Sequence, residues 1–166
     1  MTRFTKLTAT LMTAILLTGC IATKKAPSDW YNEIIDFYET GYSTGVWDET
    51  TTRSATADQK SRLYTYGYLI HDIDGDGTDE FLVGVPSAGP TRFTNLYIWH
   101  NDLEEGMCLL QGDIYLCEDH LIRMDNSDGT STYYTFNSRN NCFTPQNDIT
   151  SSTPQHFSLS FFSRTN

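Results

Sequence analysis

The segment LIHDIDGDGTDEFLVGV, residues 69–85, sets five carboxylates into the nine positions from Asp72 to Glu80, between two runs of strand-forming apolar residues. Like charges held this close repel strongly once the local dielectric falls below that of water. The loop contains no Lys or Arg of its own, so a cation from outside is the natural source of neutralisation. Counted from Asp72, Asp occupies positions 1, 3 and 5, Gly77 position 6 and Glu80 position 9. Hard oxygen ligands at alternate positions wrap one Ca²⁺, with the glycine allowing a sharp turn and the Thr78 carbonyl adding a main-chain ligand. The expected metal ligands are therefore Asp72, Asp74, Asp76, Thr78 and Glu80. Magnesium fits less well, because it demands stricter octahedral geometry and keeps its waters. A complete EF-hand loop is excluded: Val83 stands where the bidentate Glu belongs, Asp79 where an apolar residue is usual, and a strand-like run follows. Glu80 is left to close the site. The competing reading is a solvated acidic turn with no ion. A Kd of roughly 10⁻⁴ to 10⁻³ M, typical of extracellular calcium modules, would make the ion a structural clip.

The periodicity around this loop sets the fold class. In DWYNEIIDFYETG the apolar residues Trp30, Tyr31, Ile34, Ile35 and Tyr38 recur at helical spacing, which predicts an amphipathic helix from Asp29 to Thr40 with Gly41 as its stop. Residues 41–60 read as a loop, with one helical turn near Ala57 to Arg62. The period then changes to two, with Tyr64, Tyr66, Tyr68 and Ile70 on one face and Leu69 and His71 on the other. Further strands are expected at Phe81 to Val85, Asn95 to His100, Met107 to Leu110, Ile114 to Cys117, Leu121 to Met124 and Thr132 to Phe136. NDLEEG and DNSDGT, starting at Asn101 and Asp125, supply hairpin turns. The tail FTPQNDITSSTPQ looks irregular, and Phe157 to Phe162 could add an edge strand. Short strands joined by short turns after one leading helix indicate an α+β domain, with the helix packed on an antiparallel meander.

The first residues belong to another category. MTRFTKLTATLMTAILLTGC has a basic start at Arg3 and Lys6 and an eleven-residue apolar run from Leu7 to Leu17, well short of the roughly 20 residues a spanning helix needs. That is the layout of a secretory signal. The expected division is a signal peptide over 1–19, Cys20 with a flexible tether over 20–28, and one domain over 29–166 containing the acidic loop at 72–80. Loss of the leader removes two of eleven basic residues and none of twenty-one acidic ones, taking the formal net charge from −10 to 9 − 21 = −12. Such a surface disfavours nucleic acid and anionic lipid headgroups and favours cations.

The tetrapeptide Leu17-Thr18-Gly19-Cys20 resembles the lipobox of bacterial lipoproteins, in which the Cys thiol receives a diacylglycerol and the chain is cut immediately before it. This implies anchoring to the outer face of a bacterial membrane through Cys20, since two acyl chains on one residue hold a protein stably where one does not. DIDGDGTDEFLVG resembles the strand-loop-strand calcium motif of integrin-type FG-GAP repeats. It resembles more closely the DIDGDGxxEL segment of small exported lipoproteins of Gram-positive bacteria, in which a YxxIIxxY-like helix precedes the loop and a strand like NLYIWH follows it. YNEIIDFY and NLYIWHNDLEEG occupy those places, so the likeness spans roughly residues 1–136. It implies a fold and a location, and it brings no activity with it.

With Cys20 assigned to lipid, Cys108, Cys117 and Cys142 remain. In an oxidising exterior they suggest one disulfide and one free thiol, in any of three pairings. A zinc site from Cys108, Cys117, His120 and Cys142 has acceptable ligand types, but only Cys117-x-x-His120 is suitably spaced. No GxSxG elbow, HExxH helix or Gly-rich phosphate loop is present. His71, His100, His120 and His156 are scattered singly. Tyr64, Tyr66, Tyr68, Tyr97, Trp99, Tyr133 and Tyr134 either fill the core or form a stacking platform for a sugar or a partner protein. Three functions stand side by side: a calcium-clipped, non-enzymatic binding module; a carbohydrate-active or other hydrolytic envelope enzyme; and a structural envelope protein.

Overall fold

The computed structural model describes residues 27–50, 52–61, 65–100 and 105–163, the side chains of His100 and Glu105 excepted. The predicted signal peptide, Cys20, the tether up to residue 26, Arg62, Tyr64 and most of the NDLEEG turn lie outside the described residues.

Helix α1 spans Pro27–Thr44 and buries Trp30, Tyr31, Ile34, Phe37, Tyr38, Gly41 and Tyr42, the one-sided stripe of a helix laid on a sheet. Each large side chain so buried contributes about 1.5–3 kcal/mol of transfer free energy. Both expected boundaries need correction. Pro27 and Ser28 belong to the helix and not to the tether, because proline's fixed φ suits a first helical position whose N–H has no partner anyway. Gly41 is interior and is not the stop: a Cβ there would lie 2.5 Å from the Trp47 ring, so its bareness admits the indole. The chain leaves the helix at Gly45, whose φ is 72° and whose N–H donates to the Gly41 carbonyl at 2.9 Å, a left-handed cap that glycine adopts without strain. The expected turn after residue 56 is α2, Ala57–Ser61.

The strands are β1 Gly67–His71, β2 Glu80–Val85, β3 Arg92–His100, β4 Glu105–Leu116, β5 Leu121–Asp125, β6 Ser131–Asn137, β7 Cys142–Pro145 and β8 Ser160–Phe161. They form one antiparallel sheet in the order β7-β6-β5-β4-β3-β2-β1-β8. The fold is α+β, as the periodicities predict, and the sheet is a meander that the last strand extends at the β1 edge.

Two strand expectations are corrected here. Met107 to Leu110 and Ile114 to Leu116 belong to one strand, in which Leu109 is an extra residue opposite β3 and Gly112-Asp113 together face Thr94. Each bulge resets the alternation, so one strand reads as two. Strand β7 lies in the tail expected to be irregular; it pairs with β6 from Asn137↔Cys142 to Tyr134↔Pro145. Of residues 157–162, for which the sequence leaves an edge strand or a loose segment open, Ser160–Phe161 form a strand.

The two sheet faces carry separate cores. Phe81, Val83, Tyr97 and Trp99 pack under α1, while Leu82, Leu96, Ile98, Ile114, Ile122 and Phe136 form the other core. Ser138, which directly follows β6, hydrogen-bonds to Asp74 and Asp76 between β1 and β2, although β6 and β2 are four strands apart and would be separated by about 19 Å in a flat sheet. The sheet therefore curls, and the bulges in β4 supply the bend. The tail closes the curl: Gln155 donates its N–H to the Leu116 carbonyl at 2.9 Å, and Thr91 donates its own to the Gln155 carbonyl at 3.0 Å.

Candidate metal centre

The acidic segment is the connection between β1 and β2, fixed at its ends by the pair His71↔Glu80. Its backbone coils around its own carboxylates. Asp72 Oδ1 accepts the N–H groups of Gly75 at 2.7 Å and Asp76 at 3.1 Å, and its Oδ2 accepts that of Gly77 at 2.8 Å. Asp76 Oδ1 accepts the Thr78 N–H at 2.7 Å. Wrapping this tight puts Gly75 at φ 74° and Gly77 at φ 87°. A Cβ on Gly77 would meet nothing, so glycine is required there for its backbone and not for space.

Three of the five predicted ligands converge: one carboxylate oxygen from each of Asp72, Asp74 and Glu80 lies within 4.8 Å of the others. Two oxygens on opposite sides of a calcium ion at about 2.4 Å are about 4.8 Å apart, so this donor set fits a single Ca²⁺ and its hard-oxygen chemistry. Asp76 lies outside that group, and Thr78 meets Asp76 through its N–H and its side chain. Glu80 is the unusual member. It is 1 % exposed, on the face of the second core, and its one hydrogen bond is from the Ile73 N–H at 3.0 Å. No ion pair among the described residues includes it. Burial pushes its carboxyl from the ordinary 4.5 up to about 8; the charges of Asp74, Asp76 and Asp72 add to this, and the Ile73 N–H opposes it. A buried carboxyl crowded by acids, with no ion pair to any described residue, is a group that a cation would stabilise.

The loop is also gripped from outside. Ser138, just past the end of β6, donates its N–H to Asp74 Oδ2 at 2.6 Å and its hydroxyl to Asp76 Oδ2 at 2.7 Å. Against desolvation, which would raise it, the Ser138 hydroxyl, the N–H and side chain of Thr78 and the nearby positive charge of Arg139 hold the Asp76 carboxyl below its usual range. His120 Nδ1 lies 3.2 Å from the Ile73 carbonyl, and Tyr31 of α1 donates to the Asp79 carbonyl. Neither Ser138 nor His120 was identifiable as part of this site from sequence, since both reach it through the curl of the sheet.

The other candidates do not gather. Cys108, Cys117 and Cys142 are free thiols, so the expected disulfide is not formed: Cys108 packs beside the helix-side core, Cys117 lies in a separate small cluster, and Cys142 is exposed at the start of β7. Burial pushes the thiols of Cys108 and Cys117 up. Among the described residues, the only grouping of His, Cys, Asp and Glu with metal-like spacing is the acidic loop, so the four zinc ligands considered do not assemble. Tyr66, Tyr97, Trp99 and Tyr133 are buried, and Tyr68 is partly buried against the helix-side core. Their rings are therefore not available as a stacking platform. A second acidic feature is a groove of about 280 Å³ lined by Glu33, Asp36, Phe37, Val46, Asp48 and Arg53. No helix among the described residues is long and apolar enough to cross a membrane.

Comparison with protein-family models, with curated proteins and with solved structures finds no match for this chain.

Proposed function

We propose that this chain is an exported lipoprotein, held on the outer face of a bacterial membrane through Cys20, whose domain binds one structural Ca²⁺ in the loop Asp72–Glu80 and acts as a non-enzymatic binding module. The leader and lipobox support the location. The carrying observation for the metal is the convergence of Asp72, Asp74 and Glu80 within 4.8 Å, one of them a buried carboxyl with no cationic partner. Asp72, Asp74 and Glu80 would hold the ion, with Asp76 and the Thr78 carbonyl as the further ligands that the spacing assigns. The ion supplies charge neutralisation and ties β1 to β2.

Calorimetric titration of Ca²⁺ into residues 22–166 tests the reading, with Asp74→Ala as the control. One saturable site that the variant loses is the expected result; no heat from either protein refutes the calcium centre. Loss of membrane fractionation on Cys20→Ala tests the anchor.

The groove lined by Glu33, Asp36 and Asp48 supports a hydrolytic enzyme as the second reading, since paired carboxylates in a cleft are what glycoside hydrolysis uses. Glu33 and Asp36 are three residues apart on α1, so they stand on one wall, which suits a solvated helix face better than an acid–base pair. Hydrolysis of envelope polysaccharide that survives Asp74→Ala and is lost in Asp36→Asn would reverse the order of the two readings.

A further inference from the structure

The acidic loop is local in sequence, yet its two outer carboxylates are held by a residue far along the chain. Ser138 follows β6 and is 9 % exposed. Through its N–H it holds Asp74, 64 residues away, and through its hydroxyl it holds Asp76, 62 residues away. An ionised carboxylate has about four lone-pair sites. Ser138 takes one on each Asp, and a backbone N–H takes another, that of Asp76 on Asp74 Oδ1 at 3.2 Å and that of Thr78 on Asp76 Oδ1 at 2.7 Å, which leaves about two on each for a cation.

Resting on the calcium reading of this loop, we propose that Ser138 is a positioning residue for the ion and that Ca²⁺ fastens the curl of the sheet, joining the β1–β2 loop to the β6–β7 turn. The argument is one of charge and geometry. A carboxylate that binds a metal on one side and accepts a hydrogen bond on another is oriented by that bond, and removing such outer partners typically weakens metal binding 10–100-fold. Both donors come from one rigid place, the first residue after β6, where the chain turns through Asn141 at φ 51° into β7. The linkage is reciprocal. If Ser138 improves the ion's affinity, the ion strengthens the hold on Ser138 by the same factor, and the β6–β7 end of the sheet is steadied from the far side of the curl.

Ser138 is thus assigned to the calcium centre on grounds that a β1–β2 clip alone would not require. A purely local clip protects the loop and its two flanking strands. A fastener also protects residues 137–145, beyond the loop and its two flanking strands.

The experiment is hydrogen exchange of the domain in EDTA and in 10 mM Ca²⁺, with calorimetric affinities for wild type, Ser138→Ala and Ser138→Thr. Ser138→Ala keeps the N–H bond to Asp74 and loses the hydroxyl bond to Asp76, whereas Ser138→Thr keeps both. The expected result is Ca²⁺-dependent protection at 72–80 and at 137–145 in wild type. In Ser138→Ala the affinity is about 10-fold weaker and the Ca²⁺-dependent protection at 137–145 falls; Ser138→Thr restores both. Wild-type protection confined to 65–85, equal or tighter binding by Ser138→Ala, or failure of Ser138→Thr to restore binding overturns the proposal while the calcium site stands. Absence of Ca²⁺ binding by the wild type overturns both.

Discussion

Replacing Glu80 by Gln tests two things at once: in EDTA the cost of burying this carboxyl, and in Ca²⁺ the metal reading against a merely acidic turn. Glu80 is 1 % exposed and its folded-state pKa is raised from 4.5 to about 8. A carboxyl raised in this way binds its proton more tightly when folded, so its effect on stability is absent below the unfolded pKa. The effect then grows as a penalty as pH rises from 4.5 to 8. At pH 7 the folded group keeps its proton and the unfolded one has lost it. The penalty spans about 2.5 pH units, or roughly 3 kcal/mol at 1.36 kcal/mol per unit. No other described group with a resolved shift titrates in that window: Glu49, Asp76 and Asp128 are lowered, while Cys108 and Cys117 are raised from 9.0.

Gln at position 80 can accept the Ile73 N–H through its amide oxygen and cannot ionise. In EDTA at pH 7 the variant should therefore melt higher than wild type, by roughly 10 °C if about 3 kcal/mol is recovered in a domain of this size. The gap should close near pH 4. In 10 mM Ca²⁺ the gap narrows: a Kd of roughly 10⁻⁴ to 10⁻³ M gives wild type about 1.4–2.7 kcal/mol, and the variant gains nothing. Because binding displaces the Glu80 proton, the wild-type affinity should rise between pH 6 and 8. Melting curves over pH 4–8, with and without the ion, carry the whole test. A variant less stable than wild type in EDTA at every pH, or a wild-type stability flat between pH 5 and 8, refutes the account of Glu80.

Two further outcomes probe the scaffold. In Gly106→Ala a Cβ would sit 2.2 Å from the Trp30 indole, so α1 must shift outward; a loss of about 1–3 kcal/mol by denaturant melt, with altered tryptophan fluorescence, is expected, and an unchanged spectrum would remove Trp30 from that contact. Gln59 is fully buried and donates to Thr94 Oγ1 at 2.8 Å and Asn95 Oδ1 at 2.7 Å. Gln59→Ala should cost about 2–4 kcal/mol from its cavity and its stranded partners, and Gln59→Met should recover less than half, whereas full recovery would mean that the hydrogen bonds contribute nothing.

The parts of the fold legible in the sequence are those set by short-range pattern. Trp30, Tyr31, Ile34 and Tyr38 repeat at helical spacing, and a helix forms there. Asp125 to Thr130 carries an Asp-Gly turn, and the chain reverses there with Gly129 at φ 83°. What escaped was decided by partners distant in sequence. Gly41 has the composition of a helix stop and the function of a seat for Trp47. The extra residues in β4 hide one strand behind two. Cys142 to Pro145 is too short and polar to read as a strand, and it becomes one only because β6 offers an open edge. Thr94 and Asn95, polar residues inside β3, are buried because Gln59 from α2 supplies their partners.

The same division runs through the metal centre. The spacing of Asp72, Asp74, Asp76, Gly77 and Glu80 specifies a tight loop, and the backbone does wrap its carboxylates there. Spacing has nothing to say about the depth at which the loop sits, and depth gives Glu80 its raised pKa. That depth is set by the curl of the sheet, and the curl depends on bulges that the strand pattern concealed. Ser138 has no local signature at all; a serine before an Arg-Asn-Asn turn is unremarkable until β6 is carried across to Asp74 and Asp76. A motif can thus name ligands, while their charge states and their outer partners are properties of the whole sheet. Hence the same DxDxDG spacing on a flat, solvated hairpin should lack both the pH-dependent stability of Glu80 and the far-side protection of residues 137–145.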